Sequence, residues 1–155
     1  MGTPARESIL DDVQTTFEGI TVANGYKTTV VTVERKIRHW GDVAASERPW
    51  IGYMSQPQRF EHKAFGSLRV IMPLYIAAHI AGDTKAEVAS ALVDLEDDII
   101  AALSVDTTRG GNATMTHIVS QQDDAGDPDT VDSQGVSGTL EVIAEVIYHR
   151  STGSS

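Results

Sequence analysis

A chain of 155 residues with 41% hydrophobic residues, no cysteine and a formal net charge of −10 fits one globular domain. The lack of cysteine excludes disulfides, thiolate metal sites and cysteine nucleophiles, and the apolar content excludes a disordered chain. The acid surplus argues against a free-standing reader of nucleic acid, which needs a basic face.

No apolar run reaches the roughly 18–20 residues of a membrane span. The longest candidate, 68–81, is interrupted by Arg69, Pro73 and His79. The opening MGTPARESILDDVQ lacks the apolar centre of a signal peptide, and Met-Gly here makes no convincing myristoylation signal. A single domain over 1–155 is expected, ordered over 5–150, with 151–155 as a disordered polar tail.

In chain order, Thr3 and Pro4 predict a helix start, with Ile9, Leu10, Val13, Phe17 and Ile20 at helical spacing and Gly19 as the stop. Asn24-Gly25 predicts a turn. Residues 27–35, rich in Thr and Val, read as a strand. Residues 41–49 read as loop and 50–54 as a second short strand. The polar stretch 55–62 is a loop or a ragged hairpin. Alternation from Leu68 to Ile80 predicts a long strand, with Pro73 expected at an edge, a bulge or a kink because it lacks the ladder N–H.

Thr84 and Glu87 have the spacing of a capping box. Val88, Leu92, Leu95, Ile99 and Leu103 then trace one face of a second helix, and Asp94, Glu96, Asp97 and Asp98 are assigned to the other. Arg109-Gly-Gly-Asn112 reads as a turn, 114–121 as a strand and 123–135 as a loop. Residues 138–148 form a last strand, with Leu140, Val142, Ala144, Val146 and Tyr148 facing the core. The fold class is α+β: a single mixed or antiparallel β-sheet with the two main helices packed on one face.

Charge is uneven. Between Lys27 and Arg69 there are eight basic residues against four acidic ones; elsewhere there are four against eighteen. Trp40 and Trp50 lie within the basic stretch. Arginine beside tryptophan is a common pairing at interface hot spots, although packing with snorkelling basic stems explains it equally for Trp40. Trp50 is expected in the core.

No chemistry-bearing motif stands out. The Arg-Gly-Gly-Asn turn is too short for a phosphate loop and lacks its lysine. The five histidines are scattered, with no i, i+4 pair on a helix, so no metal, cofactor or catalytic residue is assigned. Residues 123–132 contain five aspartates, Asp123, Asp124, Asp127, Asp129 and Asp132. Calcium ligation needs a fixed spacing that this stretch lacks, so it reads as a solvated loop, or as one facing a lumen or a partner. Asp97 and Asp98 diverge by about 100° around their helix and are read as a solvated or self-association face.

The order of segments resembles the tail-terminator (tail-completion, minor tail protein U-like) proteins of long-tailed bacteriophages. The resemblance rests on SILDDVQTTFEGI, TVANGYKTTVVTVERKIRHW, PWIGYM, LRVIMPLYIAAHI, KAEVASALVDLEDDIIAAL, the RGG turn and GTLEVIAEVIYHR, and covers nearly the whole chain. It implies a non-enzymatic virion protein, assembled in the host cytoplasm and placed at the head-proximal end of the tail. Copies would form a ring, expected to be a hexamer, that ends polymerisation of the tail tube protein and docks the head connector or stopper. Genomic DNA would pass through the lumen without sequence-specific binding, and no membrane is involved. Arg35, Lys36, Arg38, Trp40, Arg59, Phe60 and His62 are the expected subunit or tail-tube interface, and the five aspartates are the lumen or partner loop. Alternatives are another neck protein, such as a connector or stopper, or a small-molecule-binding or enzymatic α+β domain. The last would bring His79, His117 and aspartates into one closed pocket.

Overall fold

Helix α1 spans Ala5–Glu18 and buries Ile9, Leu10, Val13 and Phe17, the stripe expected from their spacing. The computed structural model describes residues 4–63, 66–125, 131–132 and 135–151, with the backbone only at 125, 131–132 and 135. Pro4 occupies the N-cap position, one residue later than expected.

The expected strand 27–35 contracts to β1, Thr32–Glu34. Its first half is held by other partners: Val30 donates to the Ile20 carbonyl and Val31 to the Pro49 carbonyl. Strand β1 runs parallel to β2, Trp50–Ser55. Parallel neighbours need a crossover of about a dozen residues or more, and 35–49 supplies it. Strand β3, Arg59–His62, realises the ragged-hairpin reading of 55–62, since it pairs antiparallel with β4, Ser67–Gly82.

Strand β4 is central, not an edge. It pairs along its length with β7, Gly135–Ser151, and on its other side with β2 and then β3. Pro73 sits where β2 has ended at Leu74 and β3 has not yet begun at Ile71. Its carbonyl accepts from Gln56 on that side. In a strand, N and C=O of one residue point the same way, so the missing N–H faces this gap and removes no bond to β7.

Helix α2, Lys85–Val105, starts as its capping signal requires: the Thr84 side chain accepts from the Glu87 N–H. Glu87 returns to the Asp83 N–H, one residue before the usual box partner. Strand β5, Met115–Ala125, runs antiparallel to β7 with a bulge between Ile118 and Ser120, and β6, Val131–Asp132, closes a short ladder on Gly135 and Val136.

The sheet is therefore mixed, in the order β1-β2-β4-β7-β5, with β3 on β4 and β6 on β7. Both helices pack on one face. Their stripes meet Ile51 and Tyr53 of β2, the even positions Val70 to Ile80 of β4, and the even positions Leu140 to Tyr148 of β7. Full burial of each such large side chain is worth roughly 1.5–3 kcal/mol relative to exposure. On the opposite face, at one end, the crossover packs Val43 against Trp50 and Ala77.

Candidate functional site

The basic segment is neutralised from within. Arg35 meets Glu7 of α1 with both terminal nitrogens, at 2.6 and 2.9 Å. This pairing holds the Glu7 carboxyl below its ordinary range. Arg38 contacts Glu34 at 2.7 Å and Glu47 at 3.0 Å, and also donates to the Asp42 carbonyl. Lys36 reaches Glu34 at 3.2 Å. The Trp50 indole N–H donates to Glu34 at 2.7 Å, and with Arg38 it lowers that carboxyl to about 2. These pairs clamp α1 and the crossover onto β1. Arg48 is buried within the crossover, donating to the Trp40, Val43 and Ile80 carbonyls and to Ser137 Oγ. Nothing in its sequence surroundings signals this.

The seven expected interface residues do not form one knot. Arg35, Lys36, Arg38 and Trp40 flank β1, whereas Arg59, Phe60 and His62 lie on β3, near the far end of β4. Arg59 pairs with Glu145 at 3.3 Å, and Phe60 is exposed. Trp40 is half-buried at the rim of the crossover, while Trp50 is fully buried, as expected of a core residue.

Two acidic readings change. Asp98 is not on a solvated face: it is 3% exposed and accepts from the Lys27 N–H with both oxygens at 3.1 Å and from the Thr28 N–H at 2.8 Å. An aspartate in an acidic helix gives no sequence sign that a distant turn will present it with two donors. Asp97 remains at the surface, paired to Lys27 Nζ at 2.7 Å. Asp98→Ala strips two backbone donors of their acceptor and should cost about 2–3 kcal/mol. Asp97→Ala should stay within about 0.5 kcal/mol, as an exposed pair does. Urea unfolding of the two variants checks the contrast.

The expected loop 123–135 is shorter than its composition implied. Asp123 and Asp124 belong to β5, opposite Leu140 and Thr139, and are exposed. The backbone of Asp132 is in β6, opposite Gly135. Asp127 and Asp129 lie outside the described residues. Backbone pairing with β7 overrides the loop-like composition at both ends.

Among the described residues, the sheet face away from the helices is left partly open. Met54, Tyr75 and Ile143 stand in one row across β2, β4 and β7. Met115, Ile147 and Ile71 form another row across β5, β7 and β4, in which Ile147 and Ile71 are buried. Met54 is 42% exposed, Met115 47% and Ile143 37%. Between the rows, Glu145 receives Arg59 on one oxygen and contacts His117 Nε2 at 3.0 Å on the other. Exposed apolar side chains gathered on one sheet face, here on both sides of a charged group, are a feature of interaction surfaces.

At the covered end of this face lies a cavity of about 270 Å³ lined by Trp40, Tyr75, His79 and Glu141, among others. His79 stacks on Trp50 with ring centroids 5.0 Å apart, and its Nε2 lies 2.6 Å from the Arg38 carbonyl. Burial pushes its pKa down, which favours the neutral ring. His117 is not here: His79 is opposite Thr139 and His117 opposite Glu145. Six residues of β7 separate them, about 20 Å at the strand rise. The two histidines thus share no pocket among the described residues. Among the described residues no group of three or more histidines and carboxylates could hold a metal ion, and no helix is long and apolar enough to cross a membrane. No protein-family model matches the chain, and no curated protein matches it.

Proposed function

We propose that the chain is a structural virion subunit of the tail-terminator type. Copies close into a ring at the head-proximal end of a phage tail tube, end its polymerisation and offer the surface that docks the head connector. The genome passes through the lumen, where an acid surplus keeps phosphates from adhering. The order of segments supports this reading, and one structural observation carries it: among the described residues, the sheet face away from the helices leaves Met54, Met115 and Ile143 exposed.

The contact surface follows from that observation. Arg35 and Arg38 hold carboxylates of their own chain, so the bare sheet face serves better than the basic segment as the main contact. A ring needs head-to-tail contacts between two different surfaces of each subunit, and this face is one of them. Placing Asp at Ile143 and at Met54 together should abolish self-association and tube capping. Both side chains are partly exposed, so folding survives. Val93→Asp, on the exposed side of α2, should leave assembly unchanged. Sedimentation velocity of the three proteins decides; equal assembly by all three would remove the sheet face from the interface.

A further inference from the structure

Arg6, in the first turn of α1, and Arg150, near the end of β7, line one cleft of about 400 Å³ with Gln58, Tyr148 and Ser151. In this acidic chain, at least eight of the twelve lysines and arginines lie within 4.0 Å of a carboxylate among the described residues. Arg6 and Arg150 have no such partner among the described residues. The nearest carboxylate along the chain, Glu7, is engaged by both terminal nitrogens of Arg35. Arg6 donates to the Ser55 hydroxyl, a neutral group. The Tyr148 hydroxyl donates to Gln58 Oε1 at 2.7 Å, which leaves the Gln58 amide nitrogen as a further donor. Burial pushes the Tyr148 phenol up, and the charges of Arg150 and Arg6 pull against it.

We propose that this cleft binds a phosphate monoester as its dianion. A carboxylate has two oxygens and fills one guanidinium fork. A phosphoryl group has three free oxygens and nearly two charges, which matches two forks on one cleft. The volume falls at the lower end of the roughly 300–1,000 Å³ of small-molecule sites. It exceeds what phosphate alone needs and leaves room for a small organic group against Tyr148. A nucleic-acid backbone is the poorer match: each diester carries one charge, and a duplex would have to approach a chain of net charge −10. The proposal is independent of the ring reading.

The test is an NMR titration of the arginine Nε–Hε signals of the full chain at low salt, with inorganic phosphate and methyl phosphate as probes. Two arginine signals should shift saturably, with a Kd on the order of 1 mM. Affinity should rise from about pH 5.5 to about pH 7.5, as the second phosphate proton leaves, while sulfate binding stays flat. Arg150→Gln should weaken binding about tenfold, the loss of one charge-assisted contact, and the double variant with Arg6→Gln should not bind. Both side chains are exposed, and an unchanged amide spectrum verifies that the variants fold. Unsaturable shifts in the wild-type protein would overturn the proposal. So would a double variant that binds like wild type, or a DNA duplex that competes better than methyl phosphate.

Discussion

Gly52→Ala should destabilise the protein by about 3 kcal/mol or more, at the upper end of overpacking costs. A Cβ at Gly52 would lie 2.1 Å from the Lys36 carbonyl oxygen and 2.2 Å from the Trp50 ring. Neither neighbour yields easily. The carbonyl is backbone at the start of the crossover. The Trp50 ring is fully buried, stacked on His79 and tied through its N–H to Glu34. The methyl group would push the crossover off the sheet and with it Val43, Trp40 and the Arg48 anchor. Thermal unfolding measures the loss, and near-UV circular dichroism should show the Trp50 band weakened even where the protein still folds. A variant with unchanged stability and an intact band would mean that the crossover does not lie on Gly52 as described.

Arg109→Met should cost about 3 kcal/mol, near the lower bound for breaking a buried ion pair. The guanidinium is fully buried. Its Nη2 donates to the Leu103 carbonyl at 2.7 Å and to the Asp106 carbonyl, closing the C-terminal end of α2. Its Nη1 meets Asp12 of α1 at 3.2 Å and Thr16 Oγ1 at 3.2 Å. One side chain thus satisfies two carbonyls at the end of one helix, opposes its dipole and ties it to the other. The lower bound is expected because Asp12 is partly exposed and regains water when its partner is lost. Arg109→Lys should recover only part of the loss, since an ammonium cannot present two donors to the carbonyls and two more to α1 at once. Chemical denaturation of both variants tests the order; equal stability of Met and Arg would contradict it.

Neither role is legible in the sequence, whereas much of the fold around them is. Helix α2 was legible because its determinants are local: a Thr84 cap and an apolar stripe from Val88 to Leu103 at helical spacing. Strand β7 was legible for the same reason, with Leu140 to Tyr148 alternating against Glu141 and Glu145. The α+β class and the placement of both helices on one face followed from these stripes. What failed depended on partners distant in sequence. The strand character of Thr28 to Val31 gave way to contacts with Ile20, Pro49 and Asp98. Pro73 reads as an edge, a bulge or a kink; it sits mid-sheet, where its neighbour strand is interrupted beside it. Asp98, Arg48 and Arg109 are charged groups buried against backbone atoms, and no local pattern distinguishes them from surface charge. The same holds for the candidate site. The basic segment was visible in composition, but its carboxylate partners Glu7, Glu34 and Glu47 were not. The open sheet face appears only once β2, β4, β5 and β7 are placed side by side.

The central claim is that copies of this chain close into a ring that caps a tail tube. Negative-stain imaging of the concentrated protein, with and without polymerised tail tube from the same source, addresses it most directly. Rings, or tubes capped at one end only, are the expected result. A compact monomer that leaves the tube uncapped and growing would contradict the claim.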